Sequence, residues 1–344
     1  MFFATARRCR AIIATGAAIA AALALAGCST TSPAATGGSQ ANALRKVSVV
    51  LDWTPNTNHS GLYVAQTEGY FAARGLDVTI IEPGETSGLD LVAAGQADLA
   101  YSVAESLVPA RQAGADVVSV ATIIQHNTSS LISLTSSGIT RPRDLEGRSY
   151  GTYGSDLEKA LIRKLVTCDG GDPDKVTFAP LGSDDFRIGL TQNQFDVAWV
   201  FDAWDTIRLR DVDHLDVSTI AFSDHTDCIP DWYTPLLATS GKTITKNPQL
   251  VRDFLAALSE GYQKAISDPP LAADDLLKAA PELDRGLVER SANYLATRYT
   301  DDPARWGQQD AVVWNGFVGF LEDNDLIKPG FDTAAAWTDD YLPH

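Results

Sequence analysis

The chain has 344 residues, 45% of them hydrophobic, and a formal charge of −17. Charge of that sign and size repels phosphate backbones, which excludes general nucleic-acid binding. The length suffices for two hydrophobic cores.

In chain order, Arg7, Arg8 and Arg10 precede an uncharged, alanine-rich stretch from Ala11 to Ala26. That layout predicts an export signal, and the apolar stretch is too short and too weakly flanked for a membrane span. It ends in Leu25-Ala26-Gly27-Cys28, which resembles a bacterial lipobox. Residues 1–27 are therefore expected to be a lipoprotein signal peptide with Cys28 as the lipidated residue; the alternative is an ordinary signal with Cys28 incidental. Residues 28–45 are expected to form a tether, because Ser29 to Asn42 are nearly all small or polar and cannot build a core. Loss of residues 1–27 removes three arginines and no acids, leaving −20. Cys9 leaves with them and Cys28 takes the lipid, so Cys168 and Cys228 remain. An oxidising compartment makes a bridge between them a candidate, with two separate buried thiols as the alternative.

Val47 to Leu51 is a short β-branched run, followed by a helical pattern over Leu62 to Phe71 that Gly75 breaks. Leu76 to Ile81 predicts a second strand and Ser87 caps a helix that Gly95 ends. Asp98 to Ser102, Glu105 to Ala113 and Val117 to Ile124 continue the alternation as strand, helix and strand. The polar run Ser136 to Arg148 is expected at the surface near a lobe boundary. A similar unit then opens at Arg148, with a capping box at Ser155-Asp156-Leu157-Glu158 and strands over Val176 to Phe178 and Phe195 to Phe201. From Pro248 the pattern is mainly helical, and this tail is expected to pack back on the first lobe. The alternation predicts parallel sheets covered by helices, in two α/β lobes with a ligand cleft between them.

Several chemistry-bearing clusters fall at predicted strand ends. The run Asp52 to Tyr63 carries Trp53, Asn56, Asn58, His59 and Tyr63: a ring to stack and amides and an imidazole to hydrogen-bond, with helix capping by Asn58 or Ser60 as the plainer role. Ser102 and Glu105 either form a capping box or present a carboxylate to an amino group. Tyr153, Gly154 and Ser155 open a helix whose free N–H groups suit an anionic or carbonyl oxygen, and Glu158 either caps that helix or faces the cleft. Trp199 shares a strand face with Phe201 and suits a core, whereas Asp202 and Trp204 lie past the strand end. Trp232 and Tyr233 precede the return to the first lobe, and Trp306 and Trp314 suit packing. His126, His214, His225 and His344 show no metal-like pairing, no G-x-S-x-G elbow is present, and no cofactor, metal or catalytic residue is expected.

The run Leu51 to His59, with Gly69-Tyr70-Phe71, Gly75-Leu76-Asp77-Val78, Gly95-Gln96-Ala97-Asp98 and Tyr153-Gly154-Ser155, resembles the substrate-binding proteins of ABC importers that carry thiamine pyrimidine precursors. The Gly-Tyr-Phe and Gly-Gln-Ala-Asp elements are shared with binding proteins for sulfonates. The resemblance implies a two-lobed periplasmic-binding-protein type II fold, with a first lobe of residues 46–130 and 237–344, a second of 131–236, and hinge closure on ligand. It implies a formylated or hydroxymethylated aminopyrimidine as ligand, held first by Trp53 and His59 and then covered by Tyr153, Asp202 and Trp204. A monomer on the outer face of a bacterial cell membrane, docking on a permease driven by a separate ATPase, is expected. Two alternatives stand beside it. One is a riboflavin- or sulfonate-binding protein of the same kind. The other is a synthase of the thiamine pyrimidine, as in eukaryotic relatives where a histidine near the His59 position is consumed; the cysteine-rich run of those enzymes is absent here.

Overall fold

The computed structural model describes residues 43–182 and 185–343; the signal, Cys28 and most of the tether lie outside the described residues. Strand β1 (Arg45–Val50) buries Val47, Val49 and Val50, and pairs in parallel with β2 (Leu76–Ile81) from Arg45↔Leu76 to Val50↔Ile81. Between them the predicted single helix is two, α1 (Ser60–Thr67) and α2 (Tyr70–Ala73). Gly69 separates them at φ +78, a left-handed conformation that costs other residues but not glycine.

Helix α3 (Gly88–Ala93) is capped by the Ser87 side chain, as its sequence predicts. Strand β3 (Leu99–Ser102) leads into α4 (Ala104–Gln112), and β4 (Val118–Thr122) ends the first pass through this lobe. The second lobe holds β5 (Ser129–Leu134), β6 (Ser149–Thr152), α5 (Asp156–Cys168), β7 (Thr177–Pro180), α6 (Phe186–Thr191), β8 (Val197–Phe201) and β9 (Val217–Ala221). The chain returns through β10 (Leu236–Thr239), and the tail is α7 (Gly241–Lys246), α8 (Pro248–Ser267), α9 (Pro269–Ala279), α10 (Arg285–Leu295) and α11 (Ala311–Asp323).

The sheets run β2-β1-β3-β10-β4 and β7-β6-β8-β5-β9. The sheets are parallel as expected except for one strand in each. β10 runs antiparallel to β3 and β4, and β5 antiparallel to β8 and β9. Each of these is the strand that arrives from the opposite lobe, so it enters its sheet from the hinge side and points the other way. The two crossovers span 123–128 and 222–235. They are tied together: the Asp231 carboxylate accepts from the Asn127 N–H at 2.9 Å and pairs with His126 Nδ1 at 2.7 Å.

Tail helix α8 buries Leu250, Phe254, Leu258 and Tyr262, spaced four apart, on one face. It meets α1 where a Cβ on Gly261 would lie 2.0 Å from the Gly61 carbonyl oxygen, so this crossing requires glycine. Trp306 stacks on Tyr262 at 4.3 Å, a packing role. Cys168 and Cys228 form a disulfide of 1.98 Å joining the end of α5 to the second crossover, rather than two separate thiols. Among the described residues no helix is long and apolar enough to cross a membrane.

Candidate functional site

A cleft of about 1200 Å³ opens between the lobes, lined by loops after β1, β2 and β3, by second-lobe residues from Tyr153 to Asp213, and by the α9–α10 turn. Two large aromatics stand out in it. Trp53, after β1, is 51% exposed, and Tyr153, after β6, is 58% exposed. An aromatic held half in water at a cleft wall has a face available for a flat ligand.

The loop carrying Trp53 is held rigidly from behind. Asn56 accepts from the Asn58 N–H at 2.8 Å and donates to the Thr54 carbonyl at 2.9 Å. Tyr262 and Tyr299 hydroxyls donate to the Asn58 and Thr57 carbonyls at 2.6 and 2.5 Å. His59 turns inward and is 0% exposed, with its ring edge-on to Tyr101 at 4.9 Å. Its Nδ1 accepts from the Asn56 N–H at 3.3 Å, so Nε2 carries the proton and donates to Asp52 Oδ1 at 2.8 Å. Asp52 itself lines the cleft.

Trp53, Asn56, Asn58, Ser102, Tyr153 and Trp204 of the expected site residues line this cleft. The others do not, for identifiable reasons. Tyr63 is buried against Leu276, Val288 and Ala292. Glu105 accepts from the Trp232 indole N–H at 3.0 Å, and burial pushes its carboxyl up to about 7. Ser102 is the last residue of β3 and does not cap α4, whose N-cap is Val103. Trp232 is 1% exposed and stacks on Phe317 at 5.4 Å. Trp199 packs against Trp232 and Phe222 at 6.0 and 5.5 Å, as its strand face suggests. The Tyr233 hydroxyl accepts from the Asp310 N–H at 2.6 Å, and burial raises its pKa. Asp202 accepts from Ser130 and Thr206 hydroxyls, each at 2.7 Å, and desolvation raises its carboxyl pKa.

In the second-lobe turn the expected capping box forms, and its residues serve the helix end and not the cleft. Glu158 is 2% exposed and fills the N-terminal end of α5. It accepts from the Tyr153 N–H at 3.2 Å, the Ser155 N–H at 3.1 Å, and hydroxyls of Tyr150 and Thr152 at 3.1 and 3.0 Å. The Gly154 N–H is taken by Thr152 Oγ1 at 2.8 Å. Gly154 and Ser155 thus serve the turn, with Ser155 capping α5.

Sequence reasoning missed Asp52, the loop from Glu85 to Asp90, and the tail residues Glu282, Leu283, Asp284 and Leu287. Position at the carboxyl end of β1 was a usable signal for Asp52. The tail residues carried none, because their place depends on how α9 and α10 fold back. Among the described residues the lining carries seven carboxylates, on Asp52, Glu85, Asp90, Asp205, Asp213, Glu282 and Asp284, and one cation, Arg208. Arg208 Nε lies 3.7 Å from Asp213. The cleft therefore suits a neutral or positively charged planar ligand with donors to offer.

A family described as NMT1/THI5 like matches residues 56–272. The formylaminopyrimidine-binding protein of Halalkalibacterium halodurans is 28% identical over 294 residues, 83% of this chain and 87% of that protein. The 4-amino-5-hydroxymethyl-2-methylpyrimidine phosphate synthase THI11 of Saccharomyces cerevisiae is 25% identical over 86% of this chain and 88% of its own. The riboflavin-binding protein RibY of Chloroflexus aurantiacus is 25% identical, covering 87% of each. Among solved structures, the periplasmic aliphatic sulphonate binding protein SsuA from Escherichia coli matches with a TM-score of 0.67 at 17% identity, over 87% of this chain and 94% of that one. That last likeness is one of fold alone: two lobes around a cleft, as in periplasmic binding proteins.

Proposed function

The chain belongs to the NMT1/THI5 like family, and we propose that it is an exported solute-binding protein of an ABC importer that captures a thiamine pyrimidine precursor, formylaminopyrimidine or hydroxymethylpyrimidine. The observation that carries this reading is the pair of half-exposed aromatics, Trp53 and Tyr153, on different lobes of one cleft. A flat ring stacks on them, while Asp52 accepts from its amino group and the Asn58 amide accepts from that group or donates to a ring nitrogen. The similarity to the formylaminopyrimidine-binding protein supports the same ligand class. Closure of the second lobe onto the ligand follows if the ligand binds the closed state better than the open one. The Leu25-Ala26-Gly27-Cys28 motif supports a lipid anchor at Cys28 on the outer face of the membrane, from which a monomer delivers its ligand to a permease. The Cys168–Cys228 disulfide fits an oxidising compartment outside the cytosol.

The synthase reading requires a histidine that can be consumed. His59 is fully buried and both ring nitrogens are hydrogen-bonded inside the protein, which argues against it. A second binding reading is favoured by one observation. The cleft of about 1200 Å³ exceeds the usual small-ligand range of roughly 300–1,000 Å³, so a flavin fits without rearrangement.

The test is calorimetric titration and thermal unfolding with formylaminopyrimidine, hydroxymethylpyrimidine, riboflavin and taurine, with intact mass recorded before and after. A ligand specific for the folded state adds about 2.7 kcal/mol at a hundredfold excess over its Kd. Saturable binding of a pyrimidine with unchanged protein mass is expected. Binding of riboflavin alone moves the ligand to the second reading, and a mass loss at His59 on separate incubation with pyridoxal phosphate and ferrous iron in air sinks both binding readings.

A further inference from the structure

Helix N-termini that open on a cleft are ready anion sites, because their first N–H groups have no partner within the helix. Several helix ends meet or border this cleft, those of α3, α4, α5, α6 and α10 and the turn before α1, and each carries an acid or a capping side chain at its cap or in its first turn. At α5 the buried Glu158 carboxylate takes the Tyr153 and Ser155 N–H groups. At α10 the N-cap Asp284, itself a lining residue, accepts from the Leu287 N–H at 2.7 Å. Before α1, Asn56 takes both leading amides, Asn58 N–H on its Oδ1 at 2.8 Å and His59 N–H on its carbonyl at 3.0 Å. Glu158, behind the lining residue Tyr153, and Asp284 thus place carboxylates at two of these ends, and Asp90 does so in the first turn of α3. The lining repeats the sign, since its one cation, Arg208, lies beside Asp213.

We infer that the cleft excludes anions: it takes a neutral or cationic heteroaromatic and rejects the phosphate ester or sulfonate of the same ring system. The choice of heteroaromatic probes rests on the proposed function; the charge rule rests on Glu158, Asp284 and the lining carboxylates. A phosphate brought among them meets like charge at short range, at a cost in lost hydration. An amino group or a ring cation meets acceptors and two exposed aromatic faces instead. An importer fed by such a protein would receive its solute after any phosphate had been removed by a hydrolytic step outside.

Matched pairs test this by calorimetric titration: hydroxymethylpyrimidine against its phosphate, thiamine against thiamine monophosphate, and riboflavin against flavin mononucleotide. In whichever pair binds, the unphosphorylated member should bind tighter by roughly tenfold or more, and the gap should narrow between about 0.01 M and 1 M salt as the charges are screened. Equal or tighter binding of a phosphorylated member overturns the inference. If no pair binds, the proposed function fails, and a ligand-free measurement decides the charge rule by itself. Collisional quenching of Trp53, isolated as the difference between the protein and its Trp53→Phe variant and normalised for each ion to its quenching of free tryptophan amide, should be several-fold more effective with caesium than with iodide at low salt. The double variant Glu85→Gln/Glu282→Gln, at two exposed lining carboxylates, should bring the two quenchers closer. Iodide quenching as well as caesium, or a ratio unmoved by the double variant, overturns the inference without reference to any ligand.

Discussion

The imidazole of His59 donates from Nε2 to Asp52 Oδ1 at 2.8 Å, and the two residues lie on opposite sides of the cleft wall. The ring is wholly buried, whereas Asp52 lines the cavity. The histidine therefore orients the acceptor, and the acceptor meets the ligand.

That division separates two variants. Asp52→Asn should weaken ligand binding about tenfold or more, since charge-assisted hydrogen bonds are worth roughly 1.5–3 kcal/mol. His59→Ala leaves the Asn56 N–H and the Asp52 carboxylate without their partner, and should cost about 1–3 kcal/mol of folding stability. Urea unfolding without ligand, paired with titration, distinguishes the two. A large stability loss in Asp52→Asn with unchanged affinity would refute the assignment.

Trp53→Ala and Tyr153→Ala should leave the unfolding free energy within about 0.5 kcal/mol, because both rings are more than half exposed and sit outside the core. Ligand affinity should fall in each. Trp232→Ala should behave oppositely, losing about 3–5 kcal/mol of stability from a fully packed position against Phe317. Thermal melts of the three variants, with and without ligand, give the comparison.

Gly261→Ala should destabilise the protein by about 1–3 kcal/mol through overpacking, since the new methyl must push α8 away from the Gly61 carbonyl. The same displacement carries Tyr262, whose hydroxyl holds the Asn58 carbonyl at 2.6 Å, so ligand affinity should drop as well. A variant with normal stability and affinity would show that the two helices can separate freely.

His126 pairs with Asp231 at 2.7 Å and Asp301 at 3.4 Å, and these partners raise its pKa from 6.5 to about 9. A raised pKa on a base adds stability that is fully present below the unfolded value of 6.5 and is lost as pH rises through about 9. The side chain is half exposed, so solvent screening holds the effect to about 1 kcal/mol or less. Melting temperature should therefore fall between pH 7 and 10 more steeply in the protein than in His126→Gln, with roughly matching curves above about pH 10. Glu105 contributes a loss over a lower window, from 4.5 to about 7, because its buried carboxyl titrates late, and this part is common to both proteins.

How much of this was legible beforehand depended on distance along the chain. Gly69, Gly75 and Gly95 each adopt positive φ, and Ser87 and Ser155 each cap the helix that follows. These features rest on bonds between residues a few positions apart, so the local pattern carries them. The end of β1 is likewise a local property, and Trp53, Asn56 and Asn58 were read as site residues from it. Glu158 was recognised as a cap for the same reason, though not as a group that closes its helix end to anions.

Sequence by itself determined the strand and helix order, the helix caps, the acidic balance and the loop that reaches the cleft, because those follow from periodicity, composition and bonds of short range. Tertiary structure alone decided which way His59 faces, since that depends on Tyr101 and on a loop pinned by Tyr262 and Tyr299, more than 160 residues further on. It also decided the reversed direction of β5 and β10, and the presence of Asp284 and Leu287 in the cleft. A side chain's partner across space is chosen by the packing of whole elements, and no spacing within one element encodes it.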